Sequence, residues 1–61
     1  MQTWFVAYEY EDELGKVIKD SLFIEARDVN GLRSEINEMQ FDHARKYSNC
    51  GKLIITTVNL I

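Results

Sequence analysis

Thr3-Trp4-Phe5-Val6-Ala7-Tyr8-Glu9-Tyr10 is the stretch that decides how this chain folds. Aromatic and β-branched residues occupy both of its parities, which is the composition of a strand with two apolar faces. A chain of 61 residues can cover one of those faces and leaves the other open. The sequence that follows shows which face is covered and with what.

Asp12-Glu13-Leu14-Gly15 separates residues 2–11 from a second β-type segment, residues 16–25. A three-residue loop with Gly15 in the left-handed position closes the two as a hairpin with a bulge. Placing Asp12 opposite Lys16 fixes the register, so that Tyr10 faces Ile18, Tyr8 faces Asp20, Val6 faces Leu22 and Trp4 faces Ile24. This is the predicted core face. The opposite face carries Phe5 against Phe23, Ala7 against Ser21, Glu9 against Lys19 and Glu11 against Val17. The opposite charges of Glu9 and Lys19 suit a pair that faces water.

Two N-cap candidates stand in Asp28-Val29-Asn30-Gly31, and Val29, Leu32, Ile36, Met39, His43 and Tyr47 then recur at spacings of three and four. The spacing predicts one helix whose stripe lies across Trp4, Val6, Tyr8 and Leu22. Phe41 falls off the stripe, which predicts a break near Gln40 with Asp42 capping a short last turn. Ser48-Asn49-Cys50-Gly51 ends the helix, with Gly51 or Asn49 as the left-handed cap. Lys52 to Ile61 reads as a final strand.

A helical crossover makes the final strand parallel to the second, so placing it beside the first makes every neighbour antiparallel. It also keeps the most apolar strand away from an edge, where it would invite aggregation. The predicted fold class is therefore α+β: a ββαβ chain, with a three-stranded antiparallel sheet of order 2-1-3 and one helix packed on one face. Residues 1–61 form a single domain, without repeat, linker or proline. In the last strand both Ile54/Thr56/Val58/Leu60 and Leu53/Ile55/Thr57/Ile61 are largely apolar. Strict alternation would leave one set outside, so the uncovered face is expected to hold Phe5, Ala7, Phe23 and several residues of the last strand.

Composition narrows the function classes. The single cysteine, Cys50, and single histidine, His43, exclude an internal disulfide and a Cys/His metal cage. A domain this small and without either staple is a candidate for self-association. The lone thiol, the lack of a signal-peptide pattern after Met1 and the lack of an apolar run near the ~20 residues of a membrane span point to the cytoplasm. A net charge of −3 opposes direct binding to phosphate backbones. Gly15, Gly31 and Gly51 are isolated from one another, so no phosphate-binding loop and no cofactor is implied. His43 lies on the helix stripe and Cys50 in a turn, and no third group is placed to orient them, so the chain reads as non-enzymatic. Asp20, on the predicted core face, would need a donor from Tyr8, Tyr47 or His43.

Two surfaces remain. The uncovered patch of Phe5, Ala7 and Phe23 reads either as the seam of a homodimer or as a docking site for a different protein. The outer edges of the second and third strands could also accept a partner strand. Glu9, Glu11, Asp12 and Glu13 form an acidic hairpin tip, which could act as a nucleic-acid mimic in a basic groove, or simply be solvated.

The run from Trp4 to Tyr10 directly after Met1, a short glycine-bearing turn, one helix, and a last strand opening Lys52-Leu53-Ile54-Ile55 resemble the layout of small phage and prophage proteins with a ββαβ plan. The resemblance spans the whole chain in layout and strand composition and carries over no functional residue. It implies a non-enzymatic accessory protein that binds or inhibits a host protein, for example an anti-defence or anti-CRISPR inhibitor.

Overall fold

A computed structural model describes residues 1–61. It contains β1 (Gln2–Glu11), β2 (Val17–Ala26), α1 (Val29–Lys46) and β3 (Ile54–Leu60). The sheet has the order β2-β1-β3, with β1 antiparallel to both neighbours. The hairpin register agrees with the expectation at every pair, including Trp4 with Ile24, Phe5 with Phe23 and Tyr8 with Asp20.

Asp12 fixes the hairpin turn. Its N–H donates to the Lys16 carbonyl (2.8 Å), and its Oδ1 accepts from the N–H groups of Leu14 and Lys16, both at 2.9 Å. Gly15 has φ +82°, the left-handed conformation that a β-carbon disfavours.

The helix starts where Asp28 Oδ1 accepts from Gly31 N–H at 2.9 Å, which selects Asp28 over Asn30 as the N-cap. It then runs unbroken to Lys46, and the expected interruption near Gln40 does not occur. Phe41 points into solvent, 68% exposed, and Asp42 pairs with Arg45 at 3.0 Å on the surface instead of capping a turn. An exposed aromatic costs a helix little, so a residue off the stripe need not break it. The helix ends at Tyr47 (φ −119°), and neither Asn49 nor Gly51 takes the left-handed conformation expected of a cap. Gly51 instead ties this turn to the end of β1, at a distance that leaves ordinary room for a β-carbon. Its N–H donates to the Glu11 carbonyl at 2.7 Å, and a β-carbon there would stand 3.4 Å from that of Glu11.

The core lies between α1 and the predicted face of the sheet. Val6 is fully buried, with Ile24, Ala26 and Leu32 around it, and Trp4, Leu22, Ile36, Met39 and Ile55 pack against that cluster. Trp4 Nε1–H is buried without an acceptor, at a cost of about 1–3 kcal/mol that the ring's packing area offsets. The helix sits nearest β2. Its cover over β3 is correspondingly thinner, and Val58 and Leu60 stay 40% and 52% exposed.

β3 departs from strict alternation. Ala7 pairs with Thr57 but Tyr8 pairs with Ile55, so Thr56 is an extra residue at a β-bulge. The slip places Ile55 beside Tyr8, and Val58 and Leu60 beside Val6 and Trp4, all on the helix side. Leu53, just before the strand, is buried as well. The expectation that one whole alternating set would lie outside is thereby overturned, because the bulge turns the apolar residues on both sides of it inward.

Candidate protein-binding surface

The open face of the sheet is built from β1 outward. Phe5, Ala7, Glu9 and Glu11 point away from the helix, flanked on β2 by Phe23, Ser21, Lys19 and Val17. On β3 the matching positions are Asn59 beside Phe5, Thr57 beside Ala7 and Ile54 beside Glu9. Asn59 and Thr57 are thus the neighbours of Phe5 and Ala7, with exposed Ile54 and Ile61 at the two ends. Because the bulge turns Leu53 and Ile55 inward, the apolar part of the face is smaller than the sequence implied. Phe5 and Phe23 dominate it. Their rings meet edge to face with centroids 5.8 Å apart and planes at 60°, a favourable quadrupole arrangement. Phe23 is 66% exposed, Phe5 and Ala7 are half-buried, and no element covers them. A rigid aromatic pair rimmed by serine, threonine, asparagine and a Glu9/Lys19 pair has the form of an interface anchor with a polar rim.

The acidic tip divides into separate roles. The Asp12 carboxylate accepts two backbone N–H groups of the turn and belongs to the fold. Glu9 is half-buried opposite Lys19, while Glu11 and Glu13 remain exposed. Of the four carboxylates that the sequence groups together, Asp12 alone is engaged in the fold, and Glu9 stands across from Lys19 without an ion pair.

Between the sheet and the end of α1 lies a shallow cleft of about 360 Å³, lined by Tyr8, Asp20, Asp42, His43, Lys46 and Tyr47 among others. Tyr10, His43 and Tyr47 form a packed aromatic cluster, with centroids 4.5 Å apart for Tyr10 and His43 and 5.1 Å for His43 and Tyr47. Buried His43 donates from Nε2 to the Gly51 carbonyl at 3.0 Å, which ties the helix end to the turn before β3. Burial first, and the Asp20 carboxylate second, raise the Tyr8 phenol above its ordinary 10.0. Tyr10 is raised too, again by burial first and then by Tyr47.

Asp20 lies on the expected face but is exposed, and its carboxylate accepts the Ser21 N–H at 2.8 Å. The expected buried carboxylate is absent because β2 is an edge strand and the cleft between it and the end of α1 stays open to solvent. Cys50 is half-buried and lines a recess that His43 also lines. No three His, Cys, Asp or Glu side chains stand together in a metal-holding group. No helix is long and apolar enough to cross a membrane.

Comparison of the chain with protein-family models, with curated proteins and with solved structures found no match.

Proposed function

We propose that this protein is a non-enzymatic protein-binding module whose target docks on the open sheet face around Phe5, Ala7 and Phe23. One observation carries the reading: an edge-to-face phenylalanine pair, with Phe23 66% exposed, stands on a face that no other element covers. Exposed aromatic anchors inside a polar rim are where binding energy concentrates in protein interfaces. The resemblance of its layout to small phage proteins suggests the class of target, a protein of a bacterial host, which the module would occupy as an accessory or inhibitory subunit. A lone thiol suits the reducing cytoplasm as the place of action. The acidic-mimic alternative is weaker, since Asp12 is engaged in its turn and Glu9 faces Lys19.

The test compares two charge changes on the affinity for a single purified partner. Phe23→Glu introduces a charge at the anchor and should weaken binding by about a hundredfold, in keeping with a hot-spot loss of more than 2 kcal/mol. Glu13→Lys should change it by less than about threefold, as rim charges do. The reverse pattern would move the site to the acidic tip.

A further inference from the structure

We propose that two copies of this chain join edge to edge through β3, forming a continuous six-stranded sheet with both helices on one face. The inference rests on the β3 edge and is independent of the open-face reading above.

The hydrogen-bond parity of β3 is the starting point. Ile61 N–H donates to the Thr3 carbonyl at 2.9 Å. In an antiparallel ladder the residues that bond to a given neighbour alternate. Asn59 and Thr57 therefore also turn their backbone groups toward β1, and Val58 and Leu60 turn theirs toward the free edge. Two such edges run antiparallel are self-complementary about Asn59. Val58 of one copy then faces Leu60 of the other, each pair exchanging both N–H···O bonds, so the two-fold arrangement forms four hydrogen bonds and leaves none of these groups unpaired.

The side chains agree with that register. Val58 and Leu60 lie on the helix side, 40% and 52% exposed, and Val58 shares a groove with Val29, which is 56% exposed. Val29, Leu32, Ile36 and Val58, with Arg33 beside them, line a mostly apolar groove between α1 and β3. The two-fold pairing sets Val58 against Leu60 of the second copy twice over, which places apolar groups where the thin helix cover leaves them wet. Charge separates this edge from the other. Residues 53–61 contain no charged residue and no proline, in a chain of net charge −3. β2, the opposite edge, carries Lys19, Asp20 and Glu25. Charges and prolines are the usual protections of a free edge, and β3 has neither. Its bulge at Thr56 lies outside the Thr57–Ile61 segment and marks where pairing would end. Because the two-fold axis stands perpendicular to the sheet, the Phe5/Phe23 face of each copy stays uncovered, and the dimer presents two of them side by side.

Asn59 is exposed and meets its own copy at the axis, which makes it the test position. Sedimentation equilibrium would compare the parent chain, Asn59→Lys, Asn59→Asp and an equimolar mixture of the two variants, with folding checked by circular dichroism. The parent should dimerise, each charged variant should lose at least about tenfold in association constant through like-charge contact, and the mixture should recover it. In a Cys50→Ser background, Asn59→Cys should oxidise to a covalent dimer, because directly opposed non-hydrogen-bonded residues lie within disulfide reach, and Thr57→Cys should not. A parent that stays monomeric at every concentration overturns the proposal. So does a dimer that both charged variants leave intact, or one that Phe23→Glu alone dissolves.

Discussion

Leu53 and Ile54 are neighbours in the chain with side chains of equal carbon number, and they report on the bulge in β3 independently of any binding partner. Leu53 is 7% exposed and Ile54 is 57% exposed. Truncation to alanine removes three carbons from either one. At about 0.8 kcal/mol per buried carbon, Leu53→Ala loses about 2.4 kcal/mol of transfer energy, and the cavity it leaves raises the total to about 3 kcal/mol. Ile54→Ala loses less than half of its transfer term, about 1 kcal/mol, with no cavity. A domain of 61 residues has roughly 3–9 kcal/mol in all. Leu53→Ala should therefore remove between about a third and all of the stability while Ile54→Ala folds normally. Urea unfolding followed by Trp4 fluorescence measures both, with a common slope required for the comparison. Strict alternation from Leu60 and Val58 would instead turn Ile54 inward and Leu53 outward. Equal losses, or a larger loss at Ile54, would therefore refute the bulge.

Other consequences can be measured on the same material. Gly15→Ala places a β-carbon at φ +82° and should lower stability by about 1 kcal/mol in the same urea assay. Asp28→Ala removes the acceptor for Gly31 N–H and should cost about 1 kcal/mol. Burial and Asp20 raise the Tyr8 phenol above its ordinary 10.0, so the fold favours the protonated form. That contribution is complete below about pH 10 and is lost as pH rises through the folded value. Thermal midpoints taken across the alkaline range should fall from about pH 10 upward, and less steeply in Tyr8→Phe. An unchanged slope in that variant would assign the loss to other groups.

The fold was largely legible because its signals are local and reinforce each other. Gly15 and Asp12 define the turn, the turn sets the register, and the register places Trp4, Val6 and Ile24 on one face before any tertiary contact is considered. The 2-1-3 order follows from crossover geometry and from the apolar character of β1. The bulge had a signal that simple alternation hides: Leu53, Ile55, Val58 and Leu60 are spaced two, three and two, and the doubled Thr56-Thr57 fills the longer step. That spacing is what a single extra residue writes into a strand with one buried face. The exposure of Asp20 was not legible, because it depends on how closely the end of α1 closes over β2. The same holds for Gly51, whose close approach to Glu11 is a contact between residues forty positions apart. At the surface, the sequence identified Phe5 and Phe23 as a facing pair but overstated the apolar patch around them. It also grouped Asp12 with the free carboxylates, although its position before Leu14-Gly15-Lys16 is that of a turn residue which caps its own loop.

Site-specific photocrosslinking in bacterial cytosol tests the central claim most directly, with a benzophenone side chain placed at position 23 or at position 41. Phe23 and Phe41 are similarly exposed, at 66% and 68%, one on the open sheet face and the other on the helix. Docking on the sheet predicts a discrete crosslinked product from position 23 that the helix position does not give. A product from position 41 alone, or the same products from both positions, would contradict it.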